Sequence, residues 1–253
     1  YKEIDKPEQF VDDVSQVFLG QRMACANCHH HPYEKWGQDD YWGLAAFFAR
    51  VGKKEVTVPA VDLNRAQERV QAVYSRHGGA VTNKRTGKPA LPKPLDGEVL
   101  SIPDGDDPRQ NLADWMTDPK NPFFARAVAN RYWAHFLGRG IVDPLDDLRV
   151  TNPPSNPELL DALADEFVKN GYSLKQLVRT ICTSRTYQLS STPTESNRSD
   201  KQSYARFYPK RLSAEVLLDA VNQVTNSPPS FGGLPKDRNA AARAIQLPDD
   251  GFS

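Results

Sequence analysis

Two of the three cysteines and three of the five histidines of this 253-residue chain lie within eight positions, in the segment CANCHHHP at residues 25–32. Cys25, Cys28 and His29 stand in the order C-x-x-C-H, which is the pattern of covalent haem attachment. In that chemistry the two thiols add to the porphyrin vinyl groups and the adjacent imidazole ligates the iron. Two cysteines three positions apart lie on one side of a helical turn, so both thiols can reach the porphyrin.

Other chemistry also uses paired cysteines, and three alternatives stay open. The two thiols and one of the adjacent histidines, His29, His30 or His31, would supply three zinc ligands, and a remote histidine could complete the tetrahedron. The chain lacks a second C-x-x-C or an H-x-x-x-H that would strengthen this reading. A thioredoxin-like redox pair belongs in a βαβ context, whereas the flanking segments here have helical periodicity. The remaining alternative is a structural disulfide or a pair of buried thiols.

Aromatic residues follow the motif and would suit either a haem wall or an ordinary core. They are Tyr33, Trp36, Tyr41, Trp42, Phe47 and Phe48. Of these, Trp36 and Trp42 are the candidate cofactor-binding residues. His31 lies only two positions past His29, too close to reach the opposite face of an iron. We expect it to bind a haem propionate or to fix the turn before Pro32.

His135 is the candidate for a sixth iron ligand. It shares a helical face with Phe124, Val128 and Tyr132, at spacings of four, four and three, and this face is predicted to be buried. The alternative is a core histidine that bonds a backbone carbonyl. Other candidate ligands are less favourably placed in the sequence: Met23, His30, His77 and Met116.

Composition limits the function classes. With 39% hydrophobic and 25% charged residues the chain is typical of a soluble globular protein, and its 20 prolines indicate a large share of loop. The 32 basic and 32 acidic residues cancel, which argues against nucleic-acid binding. No apolar stretch is long enough for a transmembrane helix, and no signal peptide is evident. Because the sequence opens at Tyr1, we expect it to be a fragment of a longer protein.

The segments around the motif predict helices and then a mixed region. Residues 7–19 have helical spacing, and a second helix is predicted from Asp39. Residues 55–61 alternate like a short strand, residues 64–76 resemble an exposed helix, and residues 82–97 are typical of a loop or hairpin. The second half is predicted to be a helical bundle, with a boundary near residue 105.

Three apolar stripes support that bundle. The first contains Leu160, Leu163, Ala164 and Phe167, with Asn156 as N-cap, Pro157 at the first helical position and Gly171 at the end. The second and third are Leu174, Leu177, Val178 and Ile181, and Leu217, Ala220, Val221 and Val224.

Long segments of the chain resemble a pair of known domains. FLGQRMACANCHHHPYEKWGQDDYWGLAAFFARV is similar to the end of a cytochrome-c-like domain of unknown function found in large secreted Planctomycete proteins. Residues 121–191 and YPKRLSAEVLLDAVNQVT resemble the partner domain of unknown function that usually follows it. We expect the front of the first domain and the end of the second to lie outside this sequence.

The resemblance implies covalent haem, a site outside the cytoplasm, and a redox or polysaccharide-related setting. The family pattern C-x-x-C-H-x-H-P matches Cys25, Cys28, His29, His31 and Pro32. A second pattern, W-x-H-x-F/L-G-R-G, matches Trp133, His135, Gly138, Arg139 and Gly140.

We therefore expect a mainly α protein. Residues 1–105 would form the end of the cytochrome-c-like domain with a loop-rich, partly β insert, and residues 106–253 the helical partner domain. The expected function is haem c binding and electron transfer to a redox partner protein in the periplasm or outside the cell, with His29 as the proximal ligand. The alternative is a zinc-type metal-stabilised scaffold within a larger secreted complex. An electron-transfer protein is favoured over a catalyst.

Overall fold

The computed structural model describes residues 4–59, 67–227, 231 and 243–247. In these ranges the helices are α1 (Pro7–Leu19), α2 (Gln38–Ala46), α3 (Pro108–Met116), α4 (Phe124–Leu137), α5 (Pro157–Lys169), α6 (Leu174–Thr183) and α7 (Ala214–Thr225). Short 3-10 helices span Ala24–Asn27 and Ala244–Gln246. The strands are β1 (Val51–Pro59), β2 (Gln67–Ser75), β3 (Val81–Thr82) and β4 (Pro89–Ala90). The predicted helix-rich class with a loop-rich, partly β region is confirmed.

The chain divides into two compact units. The first consists of Tyr1–Lys53 and Val73–Tyr208, and the second of Lys54–Ala72 and Pro209–Ser253. Helices α1 to α6 and the β3–β4 hairpin belong to the first unit, whereas α7 belongs to the second. The boundary expected near residue 105 stays a prediction. None of the helices that the structure describes is long and apolar enough to span a bilayer.

Helices α1 and α2 form the first core of the first unit. Pro7 occupies the first turn of α1 and Gly20 ends the helix in the left-handed conformation, and the helix has the bounds predicted for residues 7–19. Helix α2 begins where the Gly37 N–H donates to the Asp40 carboxylate at 2.9 Å. The apolar residues of this core include Phe10, Val11, Leu19, Met23, Ala26, Trp36, Tyr41, Trp42, Phe47 and Phe48. The motif segment lies between these two helices and shares their core.

Helices α4, α5 and α6 pack together around a second core of the same unit. The Asn156 side chain accepts from the Leu159 N–H at 2.9 Å and Pro157 opens α5, which confirms both predicted start signals. The side chains of Leu160, Leu177 and Ile181 are completely or almost completely buried. The first two predicted stripes therefore bury their central residues in this core.

The helix predicted over residues 64–76 is wrong for its described part. Gln67–Ser75 is a strand, and β1 and β2 form a two-stranded sheet. Val70 and Ala72 are half-buried while Arg69 and Gln71 are exposed, which is the two-residue alternation of a strand. Hydrogen bonding to the preceding strand thus overrides the local helical preference. Residues 64–66, and residues 60–61 of the predicted strand, lie outside the described ranges. The hairpin predicted within residues 82–97 is confirmed by the antiparallel pairing of Val81 with Ala90.

The third predicted stripe forms a helix but not a buried one. Leu217, Val221 and Val224 of α7 are 52%, 49% and 87% exposed. Periodicity depends on the helix alone, whereas burial also needs an apolar partner surface. The prediction that α7 belongs to the buried bundle is therefore corrected.

Candidate functional site

The C-x-x-C-H segment forms one tight helical turn on the surface of the first unit. Its 3-10 helix spans Ala24–Asn27, and the backbone N–H groups of Cys28 and His29 both donate to the Cys25 carbonyl oxygen at 3.3 Å. Ala26 is fully buried, whereas Cys25 and Cys28 are exposed free thiols. Both thiols therefore face solvent while the backbone between them is anchored in the core.

Gly20 fixes the path by which the chain enters this turn. Its φ of 65° lies in the left-handed region. Its carbonyl accepts from the Leu148 N–H at 2.8 Å, and a Cβ at this position would come within 2.4 Å of Leu148 Cδ1. Arg22 follows and pairs with Asp146 at 2.8 Å. The start of the motif is thus held against the loop of residues 146–150.

The ring of His29 is held by a backbone carbonyl. It is exposed, and its Nδ1 lies 2.6 Å from the carbonyl oxygen of His30. A ring nitrogen this close to a carbonyl oxygen donates its proton there, so in the neutral imidazole the lone pair is on Nε2. Metal-ligating histidines usually have this arrangement, which fixes the tautomer and the ring plane.

His31 is buried, in contrast to the two histidines before it, and only 3% of its surface is exposed. The Tyr33 N–H donates to its Nδ1 at 3.2 Å across Pro32, and the His31 N–H donates to the Trp36 carbonyl at 2.8 Å. Burial lowers the pKa of His31, and the positive charge of Arg149 lowers that pKa further. These are the contacts that the turn-fixing role of His31 requires.

A distant loop supports the motif turn from its other side. The Val150 N–H donates to the Glu34 carboxylate at 2.8 Å, and the Arg149 guanidinium lies 5.9 Å from the centre of the Tyr33 ring. Arg149 also pairs with the buried Asp147, and its hydrogen bonds hold the pKa of that carboxyl below its usual range. No sequence pattern indicates this support, because the partners are more than a hundred residues apart.

The two candidate wall residues, Trp36 and Trp42, are part of the core. Each is only 3% exposed. The Trp36 indole N–H donates to Gln21 at 3.2 Å, and its ring meets Phe123 edge-on. Trp42 packs in the same way against Tyr41. The faces of both indole rings are mostly covered by protein, as expected if these residues belong to an ordinary core and do not form a haem wall.

Asn27, between the two cysteines, is a residue that the sequence does not single out. Its side-chain N–H donates to the Tyr41 hydroxyl at 3.1 Å, and its backbone carbonyl accepts from Gln38 at 3.3 Å. The Tyr41 hydroxyl donates in turn to the Glu8 carbonyl at 2.9 Å. The Lys84 ammonium donates to the Asn27 side-chain oxygen at 2.8 Å. Asn27 thus links the motif turn to α1, α2 and the β3–β4 hairpin.

His135 lies in the last turn of α4 and is exposed, so the prediction that its helical face is buried is corrected. Its ring contacts Phe136 edge-on at 4.9 Å between centroids. The rest of the predicted face, Phe124, Val128 and Tyr132, is half-buried. The fully buried face of α4 lies one position further along and contains Ala125, Ala129, Trp133 and Leu137. Small residues on that face allow close approach of α5 and α6.

The other candidate ligands differ in accessibility. Met23 is 1% exposed and belongs to the first core, which leaves its thioether inaccessible without rearrangement. Met116 is partly buried against the same core. His30 and His77 are exposed.

The donor set of the motif turn fits a c-type haem. Two exposed thiols and an imidazole with a free Nε2 stand in one turn, in the order that thioether attachment needs. The described residues also line three clefts of about 260, 360 and 280 Å³, and Cys25, Cys28 and His29 line none of them. Among the residues with described positions, no group of three or more Cys, His, Asp and Glu side chains is placed to hold a metal ion.

Two known family models match most of the chain. The PSD1 model, described as a protein of unknown function (DUF1553), matches residues 108–246, which is more than half of the sequence. The chain belongs to the PSD1 family. A second model, PSCyt2, described as a protein of unknown function (DUF1549), matches residues 1–53 and includes the motif turn.

Domains of the PSD1 and PSCyt2 types commonly occur together, so the resemblance to two paired domains of unknown function is confirmed in this form. The PSD1 match contains α3 to α7, and the PSCyt2 match contains α1, α2 and the candidate site. Neither match includes the β3–β4 hairpin that supplies Lys84. No curated protein and no solved structure matches the chain.

Proposed function

We propose that this PSD1-family chain carries a covalent haem c on Cys25 and Cys28, with His29 as the axial iron ligand, and that it transfers single electrons. One observation carries the proposal. In the motif turn both thiols are exposed, and the His29 Nδ1 bonds a carbonyl oxygen, which leaves Nε2 available for a metal. These are the atoms that attachment and ligation require.

A bound haem c would supply an iron that accepts and releases one electron. Each thiol adds its S–H across a vinyl double bond, so that sulfur bonds one carbon, the proton goes to the other, and no external oxidant is needed. The His30 carbonyl orients the His29 ring, and the contacts of His31 hold the turn in shape. The residues of the turn therefore have distinct roles in attachment, ligation and support.

The exposed position of the site favours electron exchange with a protein partner over catalysis on an enclosed substrate. The two thiols and His29 are exposed, whereas small-molecule sites normally bury most of their ligand. A redox partner protein could therefore approach the site directly. Haem c is attached outside the cytoplasm, so the proposal places the chain in the periplasm or outside the cell.

The decisive experiment is intact-mass analysis of the chain exported to the periplasm of a bacterial host that attaches haem c. We expect a mass increase of one haem and a Soret band that survives acid-acetone extraction. Replacing both Cys25 and Cys28 with Ser should abolish the increase, because a hydroxyl does not form the thioether. Cys182→Ser is the matched control, since this thiol is half-buried on α6 and should be dispensable.

Two results would contradict the proposal. One is an unchanged mass of the wild-type chain under conditions in which a known c-type cytochrome is loaded. The other is retention of the added mass in the double Cys25/Cys28 variant. Zinc analysis of the same samples tests the scaffold alternative. That alternative requires one zinc per chain in the wild type and its loss in the double variant.

A further inference from the structure

Lys84 places a positive charge beside the motif turn. It follows strand β3, and its Nζ donates to the Asn27 side-chain oxygen at 2.8 Å and lies 5.1 Å from the centre of the Trp42 ring. The Cys28 sulfur lies 3.9 Å from the same Asn27 oxygen. The ammonium and this thiol are therefore separated by no more than the sum of these two distances.

Lys84 is exposed, and its ammonium contacts two residues that are themselves anchored in the core. Asn27 is held by Tyr41, which is completely buried and bonded to α1. The Trp42 ring below Lys84 is also a core residue, and a cation over an indole face is attracted by the ring quadrupole. A lysine that is free in solution would sample many rotamers, whereas these two contacts hold this one beside the motif.

The charge of Lys84 is not offset by a paired acid. No carboxylate within the described ranges forms an ion pair with it, whereas Lys35, which lies over Trp36 at 4.9 Å, donates to Asp96 at 2.7 Å. Asp39 is near the same hairpin but pairs with Arg85. The field of the Lys84 ammonium at the motif is therefore reduced mainly by solvent and salt.

We propose that the positive charge of Lys84 raises the reduction potential of the redox group carried by the motif turn. This inference depends on the proposed function. Reduction by a partner protein adds one electron and breaks no bond, so the site gains one negative charge. A fixed positive charge nearby stabilises the reduced state more than the oxidised state. The β3–β4 hairpin, outside both family matches, is thus part of the functional site.

The test compares reduction potentials of the haem-loaded chain, measured by spectroelectrochemistry, in variants of two lysines on the hairpin. Lys84→Met should decrease the equilibrium constant for reduction about threefold, the order expected for one charge near an exposed site. Lys84→Gln should decrease it similarly, because the amide can still donate to Asn27 but carries no charge. Lys84→Arg keeps the charge and should restore the wild-type value.

Lys88→Met is the matched control. Lys88 lies in the same hairpin and is exposed, and its removal changes the net charge equally without removing the contact to Asn27. Its effect should be clearly smaller than that of Lys84→Met. Raising the salt concentration should shrink the difference between wild type and Lys84→Met, whereas a purely structural effect would persist.

The outcomes separate this inference from the proposed function. If the haem-loaded Lys84→Met and Lys88→Met variants have the same reduction potential, the role of Lys84 is overturned while haem attachment stands. A wild-type potential in Lys84→Gln would also overturn it, since the charge would then be irrelevant. If the wild-type chain acquires no haem, both proposals fail. Melting temperatures of each variant show whether a change in potential accompanies a change in folding.

Discussion

The motif turn, residues 24–36, and the helix cluster α4–α6 differ in which of their side chains face solvent. In the turn the chemically distinctive side chains of Cys25, Cys28 and His29 are exposed, and their neighbours Ala26 and His31 are buried. In the helix cluster the central apolar side chains of the predicted stripes are buried in the core. Exposed side chains contribute little to stability, whereas buried ones contribute most of it. Substitutions should therefore separate into those that change chemistry and those that change folding.

The largest loss of stability is expected in the helix cluster. Ile181 of α6 is completely buried, so Ile181→Ala should lower the free energy of unfolding by about 2–5 kcal/mol. Leu217→Ala is the control, because Leu217 has an equivalent place in the apolar stripe of α7 but is 52% exposed. Its cost should be below about 1 kcal/mol. Urea unfolding followed by circular dichroism measures both, and equal losses would contradict the exposed position of α7.

A smaller loss is expected where the motif turn is anchored. Tyr41→Phe removes a buried hydroxyl that accepts from Asn27 and donates to Glu8, so it should cost about 1–3 kcal/mol. Tyr33→Phe removes a hydroxyl from a ring that is 64% exposed and should change stability by less than about 0.5 kcal/mol. The same urea titrations test this pair. A Tyr41 variant as stable as the Tyr33 variant would show that the anchor is unimportant.

Acid should weaken the loop that supports the motif turn. Hydrogen bonds from Arg149 hold the pKa of the buried Asp147 below its unfolded value, which is near 3.8. A carboxyl with a lowered folded-state pKa stabilises the fold above its unfolded pKa, and this contribution is lost as the pH falls through the folded pKa. Asp147 should therefore cause no change between pH 7 and pH 5 and a loss below about pH 4.

The variant Asp147→Asn isolates this contribution. Its free energy of unfolding should be reduced at pH 7 and should fall less steeply than that of the wild type below pH 4. Asp161→Asn removes a carboxylate that is 55% exposed from a surface ion pair with Arg126, and it should change the free energy of unfolding at pH 7 by less than about 1 kcal/mol. An identical acid profile in Asp147→Asn and wild type would contradict the assignment.

Features that depend on local signals could be predicted from the sequence. Helix α1 has the predicted bounds because Pro7 and Gly20 act on the backbone beside them. The start of α5 was also predictable, since Asn156 caps the turn that follows it. The motif itself was evident because its three candidate ligands are adjacent in the sequence.

Features that depend on partners outside the segment itself could not be predicted in this way. The strand β2 forms by pairing with β1, and its residues alone are compatible with a helix. The contact of Lys84 with Asn27 joins residues 57 positions apart, and nothing in the hairpin sequence indicates which lysine reaches the motif. The buried face of α4 lies one position from the predicted face, because Phe124 and Tyr132 have larger side chains than the alanines that pack in the core.

His135 is the residue for which the difference between the two regions is least clear. It belongs to α4 of the helix cluster, but its side chain is exposed like those of the motif turn. Because it is exposed, His135→Ala should change the free energy of unfolding by less than about 0.5 kcal/mol.

If His135 is the sixth iron ligand, as the sequence predicts, the haem-loaded wild-type chain has a low-spin spectrum and the His135→Ala variant becomes high-spin. Added imidazole should then restore the low-spin spectrum, because it occupies the vacated position. His77→Ala, which removes another exposed histidine, should leave the spectrum unchanged. A low-spin spectrum that persists in His135→Ala would exclude His135 as a ligand and confine the redox chemistry to the motif turn.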